Sequence, residues 1–134
     1  MGRKTLGIAV SDPARSLASP LKTLRRTRFG ADADALLALA GERAVAGIVL
    51  GLPRNMNGSE GPQCQSTRAF ARNLSGRTEL AIAFWDERLS SVAAERALLE
   101  ADLSRKRRGE VIDHVAAGLI LQGALDRLRR LGAQ

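Results

Sequence analysis

The 134-residue sequence is poor in the residues that build disulfides and cysteine–histidine sites, because it contains one cysteine, Cys64, and one histidine, His114. A single cysteine excludes an internal disulfide and a cysteine-based metal cage. No cysteine–histidine dyad is evident. We expect His114 to be a partly exposed helix residue and not a general base.

Long apolar runs are also absent. No segment reaches the roughly 20 apolar residues that span a membrane. The first residues, Met-Gly-Arg-Lys, contain no apolar segment of the kind that directs secretion. The sequence therefore predicts a cytoplasmic protein with no membrane partner.

Acidic residues are scarce relative to basic ones. The chain has 21 Lys and Arg against 14 Asp and Glu, which gives a formal charge of +7 and a pI of about 11.1. Such a balance favours a polyanionic partner, nucleic acid before membrane. The alternative explanation is a proteome that is generally rich in arginine, since only three of the 21 cations are lysines.

The length and composition predict one globular domain over residues 1–134. With 45% apolar residues, the chain can bury a core. Thr5–Ser11 and Leu17–Leu24 are predicted to pair as a hairpin, with Pro20 at an edge or a bulge. Continuous apolar runs at Val45–Leu52 and Ala81–Trp85 are typical of strands buried on both faces of a parallel sheet.

Helices are predicted between and after these strands. They run from a cap at Asp32 or Asp34 to about Arg43, and over Gln63–Leu74, Ser91–Ala101 and Gly109–Leu131. A polar linker is expected over residues 102–109. Strands that alternate with helices in this way predict an α/β layer fold.

Carboxylates follow the strand that ends at Trp85. Asp86 and Glu87 come directly after it, at the strand end where open α/β sheets usually build their sites. The alternative is that these carboxylates solvate a loop or pair with Arg88. Glu110 and Asp113 lie three residues apart in the last helix, where the helix dipole alone could account for them.

A glycine-rich loop and a basic run are the remaining candidates for ligand contact. In the loop 51–63, Gly58 and Gly61 can adopt positive φ and turn backbone N–H groups towards a ligand. The loop matches neither a Walker motif nor a GxGxxG fingerprint. The four cations at 105–108 are either a solvated run or a phosphate contact.

Four segments together resemble one family. GRKTLGIAVSD at 2–12, IVLGLPRNMNGSEGPQ at 48–63, WDERLSS at 85–91 and SRKRRGEVIDHVAAGLILQ at 104–122 are similar to the YqgF family. The resemblance implies an RNase H-like fold, a mixed central sheet flanked by helices, related to RuvC-type Holliday junction resolvases. It also implies a nuclease that matures the 5′ end of pre-16S rRNA in the bacterial cytoplasm. The alternative substrate is branched DNA.

The resemblance assigns roles to individual residues. Phosphodiester hydrolysis in this superfamily uses two Mg²⁺ or Mn²⁺ ions about 4 Å apart, held by carboxylates. Glu87 and Asp113 would be the catalytic, metal-binding pair, supported by Asp86, Arg88 and Glu110. The residues expected to hold the nucleic-acid backbone are Lys4, Asn55, Asn57, Gly58, Arg105, Lys106, Arg107 and Arg108.

The sequence departs from the family pattern at its beginning. The family's first strand, the middle one of its sheet, ends in Asp, a variable residue and Gly. Gly2 matches that glycine, so the Asp would lie ahead of Met1. Either the start codon is placed too late in the gene model, or the chain is a truncated, inactive paralogue that only binds nucleic acid. Without the strand that carries this Asp, the chain is expected to be poorly folded or inactive.

A smaller departure is Asn57, where the family commonly has Asp; the loop loses a charge but can keep its turn. Oligomeric state stays open between monomer and homodimer.

Overall fold

The computed structural model describes residues 5–89 and 105–132, with side chains for 5–89 and 114–131. The elements are β1 (Thr5–Ser11), β2 (Ala18–Arg25), α1 (Phe29–Glu42), β3 (Gly47–Leu52), α2 (Pro62–Ser75), β4 (Ala81–Asp86), a 3₁₀ turn (Glu87–Leu89) and α3 (Arg105–Gly132). The predicted α/β class is confirmed. The predicted helix at Ser91–Ala101 lies outside the described residues.

β1 and β2 form the predicted antiparallel hairpin. Ile8 pairs with Lys22 and Ala9 with Pro20, so Leu21 is an extra residue and β2 bulges there. Pro20 has no N–H to give to a ladder, and a position beside a bulge tolerates that loss. The prediction of a bulge at this proline is confirmed.

Asp12 closes the turn of this hairpin. Its carboxylate accepts hydrogen bonds from the Leu17 N–H at 3.0 Å, the Ser16 N–H at 2.7 Å and the Ser16 hydroxyl at 2.8 Å. These hydrogen bonds, that of Leu17 first, hold the pKa of Asp12 below its usual value. Asp12 is therefore a structural turn residue.

β3 and β4 pair in parallel, with Leu52 opposite Asp86. The parallel pair is as predicted, but β4 is less buried than an unbroken apolar run suggests, since Phe84 is 37% exposed. Among the described strands, β4 has β3 as its only neighbour. The guanidinium of Arg68, 5.0 Å from the centre of the Phe84 ring, covers this side chain in part.

Helices cover both faces of β3. Because successive side chains alternate, Ile48 and Leu50 pack towards α1 and α2, whereas Val49 packs against α3. The predicted buried face of α2 is confirmed, with Thr67, Phe70, Ala71 and Leu74 all buried. None of the helices in the described ranges combines the length and apolar character needed to cross a bilayer.

Two helix boundaries differ from the prediction. α1 begins at Phe29, and Asp32 lies within its first turn, where its buried carboxylate accepts the Thr27 N–H at 3.1 Å. Asp32 therefore bonds back to the preceding loop instead of capping the helix. Residues 105–109, predicted as linker, belong to α3, because arginine and lysine are good helix formers.

The strands form two separate sheets. In the described part of the chain, β1 pairs only with β2 and β3 only with β4. A cleft of about 1030 Å³ lies between the two pairs, and it is lined by every residue from 6 to 13 and from 43 to 51.

Candidate functional site at the ends of the parallel strands

Asp86, the last residue of β4, is the centre of an ion-pair network. Arg88 donates from Nε to both Asp86 oxygens, at 3.1 and 3.0 Å, and from Nη2 to Oδ2 at 2.7 Å. Arg54 Nη1 lies 3.7 Å from the same Oδ2. These contacts, led by the Arg88 hydrogen bond, hold the pKa of Asp86 below its usual value. Both carboxylate oxygens are therefore engaged by arginine.

Glu87 opens the 3₁₀ turn after β4, and its side chain lies against Gly51 of β3. A Cβ atom at residue 51 would be 3.2 Å from Glu87 Cγ and 2.7 Å from Ile120 Cδ1 of α3. The absence of a side chain at Gly51 therefore makes the space in which the half-buried Glu87 side chain sits. This carboxylate lies between the end of β3 and helix α3.

The loop after β3 is closed by its own polar groups. Asn57 Oδ1 accepts the Ser59 N–H at 3.0 Å and the Ser59 hydroxyl at 2.6 Å, and the Gly58 N–H donates to the Asn55 carbonyl at 2.8 Å. Gly58 has φ +86°, as predicted. Gly61, with φ −87°, does not adopt the positive φ that was expected of it. Asn57 keeps the turn without the charge of an aspartate.

Two arginines, Arg88 and Arg54, bind this loop to the end of β4, and a third, Arg68 of α2, binds it to that helix. Arg88 Nη1 donates to the Met56 carbonyl at 3.3 Å. Arg54 Nη2 lies 3.2 Å from Glu60 Oε2, and Arg68 donates to both Glu60 oxygens at 2.6 and 2.7 Å. The Arg68 hydrogen bond is the main cause that lowers the pKa of Glu60. The loop and the end of β4 are thus held as one unit.

Sequence reasoning missed Arg54, Glu60 and Arg68. Arg54 and Glu60 sit in a loop without hydrophobic periodicity, and the contact of Arg54 with Asp86 joins residues that are far apart in the sequence. The only local signal was that Arg54 and Glu60, which carry opposite charges, flank the same glycine-containing turn.

Six of the predicted site residues come together here. They are Asp86, Glu87 and Arg88 at the end of β4, and Asn55, Asn57 and Gly58 in the facing loop. Residue 113 precedes Ile120 by two helical turns in α3, and its side chain lies outside the described residues. The same holds for the side chains of Glu110, Arg105, Lys106, Arg107 and Arg108, while Lys4 lies outside entirely.

The donor chemistry distinguishes the two described carboxylates. Hard divalent cations take carboxylate oxygens. Asp86 does not suit this role, because its oxygens already accept hydrogen bonds from arginine. Glu87 is the other described carboxylate at this strand end, and its side chain lies against Gly51. Within the ranges that have described side chains, no three acidic, histidine or cysteine residues converge.

The sequence profile of the RuvX family, described as Holliday junction resolvase, matches residues 1–127. The chain belongs to the RuvX family. This result confirms the resemblance to YqgF, another name for the same family, that the four motifs indicated.

Curated members of the RuvX family cover nearly the whole chain. A protein of Ruegeria pomeroyi is 73% identical over 131 residues, which are 98% of this chain and 85% of the relative. One of Paracoccus denitrificans is 71% identical over 132 residues, 98% of this chain and 84% of the relative. One of Rhodobacter capsulatus is 67% identical over 132 residues, 98% of this chain and 83% of the relative. All three are named "Putative pre-16S rRNA nuclease".

Proposed function

We propose that this protein is a metal-dependent endonuclease that processes the 5′ end of pre-16S rRNA in the cytoplasm. The names of its relatives and the family description support a nuclease. The charge of +7 supports a polyanionic substrate. The observation that carries the proposal is the Glu87 carboxylate, seated at Gly51 beside a loop that two arginines bind to the same strand end.

Glu87 and Asp113 are the residues that would hold Mg²⁺ or Mn²⁺. When bound, such ions activate water and stabilise the leaving oxygen of the phosphodiester. Asp86 acts indirectly, because it fixes the guanidinium of Arg88 through several hydrogen bonds. Arg88, held between Asp86 and the Met56 carbonyl, is positioned to contact a phosphate at this strand end.

The remaining predicted residues would position the substrate. The turn formed by Asn55, Asn57 and Gly58 presents exposed backbone and amide groups, which suit contact with sugar and phosphate. The cations at 105–108 and Lys4 would add charge attraction along the nucleic-acid backbone, and Glu110 would support the metal ligands. The active protein would be a monomer or a homodimer.

The test compares Glu87→Gln with Glu79→Gln, a glutamate that precedes β4. Both variants lose one negative charge, but only the first removes a proposed metal ligand. We expect Glu87→Gln to cleave an RNA that spans the 5′ end of the 16S precursor at least about 100-fold more slowly with Mg²⁺ or Mn²⁺, because effects of ligand loss exceed those of supporting residues. Glu79→Gln should cleave normally.

Binding separates catalysis from a purely binding role. Glu87→Gln should bind the RNA as well as the parent or more tightly, since a negative charge near the phosphates is removed. If the parent binds in a salt-dependent way but never cleaves with either metal, the protein is the non-catalytic module. If Glu87→Gln cleaves as fast as Glu79→Gln, the role proposed for Glu87 is wrong.

A second substrate is favoured by the family description, which names Holliday junctions. The same preparation should therefore be offered a four-way DNA junction and the precursor RNA side by side. We expect the larger kcat/KM for RNA, and preferred cleavage of the junction would establish the resolvase instead.

A further inference from the structure

Helix α3 runs antiparallel to β2. Three contacts fix this direction, and they join Ala18 to Gln122 by a hydrogen bond of 2.8 Å, Pro20 to the backbone of Gly118, and Thr23 to His114 at 3.1 Å. Each step forward along β2 therefore corresponds to a step back along α3. The last residue of β2, Arg25, lies beyond the level of His114, towards the start of the helix at Arg105.

Strand β4 points to the same end of α3. Trp85 lies against Gly123, whose Cβ would be 3.1 Å from the indole ring. Two residues later, Glu87 is level with Ile120, because both side chains would meet the same Cβ at residue 51. The end of β2 and the end of β4 are therefore at the same end of the molecule, where the candidate site lies.

Arg25 lies on the side of the sheet that α3 covers. Successive side chains of a strand alternate between its faces. Leu24 packs into the cluster that α1 and α2 contribute to, whereas Thr23 contacts His114 of α3. Arg25 shares the face of Thr23, and it is exposed. Its guanidinium is thus on the same side as the first half of α3, which includes residue 113.

Arg25 belongs to a segment without acidic residues. Between Asp12 and Asp32 there is no carboxylate, and the cations there are Arg15, Lys22, Arg25, Arg26 and Arg28. Asp32 is buried and lies 3.9 Å from Arg26 Nε. Arg25 and Arg28 are exposed and form no ion pair with any residue that the structure describes. This corner of the molecule therefore keeps a positive charge.

Stability does not explain Arg28. It is the N-cap residue of α1, and it makes no side-chain cap hydrogen bond. Helices favour Ser, Thr, Asp or Asn at this position, and the helix dipole disfavours a cation there. Charges that protect a sheet edge would lie along β2, but Arg28 follows the end of that strand. An anionic partner, by contrast, accounts for an arginine at this position.

We propose that Arg25 and Arg28 bind the phosphate backbone of the RNA, on the opposite side of the candidate site from the loop 51–63. The identity of this polyanion rests on the proposed function. The cleft separates β1 from β3, so β2 and β4 are the outer strands of the described part, and α3 packs across β1, β2 and β3 between them. An RNA strand that contacts both Arg88 and Arg25 must pass the first half of α3. Arginine suits this role because it donates charged hydrogen bonds to phosphate.

The test measures RNA binding without divalent metal, so that cleavage is not needed. The RNA spans the 5′ end of the 16S precursor, and Kd is measured from about 50 to about 200 mM salt. The parent is compared with the double variant Arg25→Gln, Arg28→Asn and with the variant Arg25→Lys, Arg28→Lys. The matched control is Arg43→Gln, Arg72→Gln, which removes two exposed arginines near the far ends of α1 and α2.

The double variant should depend less on salt than the parent. Each phosphate contact contributes about 0.7 to the slope of log Kd against log salt for a single strand, so two lost contacts lower the slope by about 1.4. Over about a fourfold rise in salt, Kd should then increase about sevenfold less than it does for the parent. The lysine variant and the control should keep the parent's slope, because lysine also neutralises phosphate.

Urea unfolding separates binding from a structural role. Arg28→Asn alone should keep or raise the urea midpoint, because asparagine is a better N-cap, while it lowers the salt slope. A lower urea midpoint with an unchanged slope would show that Arg28 serves folding, and the proposal would be wrong.

Equal slopes for the parent and the double variant would also overturn the proposal. So would an equal loss of slope in the control, since net charge alone would then explain the effect. Cleavage tests the proposed function separately. A parent that never cleaves with either metal, but whose salt slope falls in the double variant, retains this inference without the nuclease; a parent that cleaves while the slopes are equal retains only the nuclease.

Discussion

Replacing Gly51 by alanine tests the packing that makes room for Glu87. The new Cβ would lie 2.7 Å from Ile120 Cδ1, closer than carbon atoms tolerate. Isoleucine in a helix is fixed at χ1, so relief must come from χ2, which costs about 0.5–1.5 kcal/mol when it leaves its preferred angle. Overpacked cores typically lose about 1–3 kcal/mol, and alanine regains about 0.4–1 kcal/mol from the unfolded chain. We therefore expect a net loss of about 1 kcal/mol.

A double-mutant cycle with Ile120→Val isolates the contact. Valine lacks the clashing Cδ1 and by itself should cost about 1 kcal/mol. If the clash with Cδ1 causes the loss of stability, Gly51→Ala should cost nothing further in the Ile120→Val protein. The double variant should then be about 1 kcal/mol more stable than the sum of the two single losses predicts. Urea unfolding at constant m-value measures all four proteins. Additivity within about 0.3–0.5 kcal/mol would refute the reasoning.

Activity provides the second half of this test. In the double variant the Cβ introduced at residue 51 still lies 3.2 Å from Glu87 Cγ. The double variant should therefore be as stable as Ile120→Val but cleave about tenfold more slowly than it, because the carboxylate is displaced. Gly41→Ala is the control, since its Cβ meets nothing within 4 Å in α1, and it should stabilise by about 0.5–1 kcal/mol without a change in activity.

Three further outcomes are expected. Arg54→Met should lower cleavage about tenfold with little effect on Tm, because it frees the loop from Asp86; an unchanged rate would contradict this role. The pKa of Asp86 in the folded protein lies below its ordinary 3.8, so its contribution to stability is complete above about pH 4 and is lost as the pH falls through the folded value. In that pH range the urea midpoint of Asp86→Asn should depend less steeply on pH than the midpoint of the parent. Parallel pH curves for the two proteins would contradict this contribution of Asp86. Burial excludes Cys64 from solvent and raises its pKa, so a thiol reagent should label it only in urea, and rapid labelling of the native protein would show that the site opens.

Patterns of hydrophobicity predicted the parts of the fold that depend on burial. The hairpin with its bulge at Pro20 followed from a proline within an extended run, and the buried face of α2 followed from spacing alone. The parallel pairing of β3 and β4 followed from two continuous apolar runs. In each case the pattern of apolar residues within the segments themselves was sufficient.

Sequence patterns did not predict the contacts of side chains whose partners lie in another segment of the chain. Asp32 has the residue type of a helix cap, but Thr27 and Arg26 attract its carboxylate from the preceding loop. Nothing in the sequence distinguishes Arg54 from the other arginines, and its contact with Asp86 depends on the position of β4 beside the loop. The position of Asp86 and Glu87 after the strand did not distinguish them, and only the family resemblance gave Glu87 the metal-binding role and Asp86 a supporting one. The structure adds that Arg88 binds Asp86 and that Glu87 lies beside Gly51.

The bulge at Leu21 bears on how readily the edge of the hairpin can pair with a strand of another molecule. The outer rim of the hairpin is interrupted where Pro20 stands, because proline offers no hydrogen there and the extra residue twists β2 out of register. Pro20 also sits under α3, 3.2 Å from where a Cβ on Gly118 would be, which fixes the kink in place. A bulge and a proline of this kind disfavour pairing of this edge with a strand of another molecule, on the side of the hairpin that faces away from the cleft.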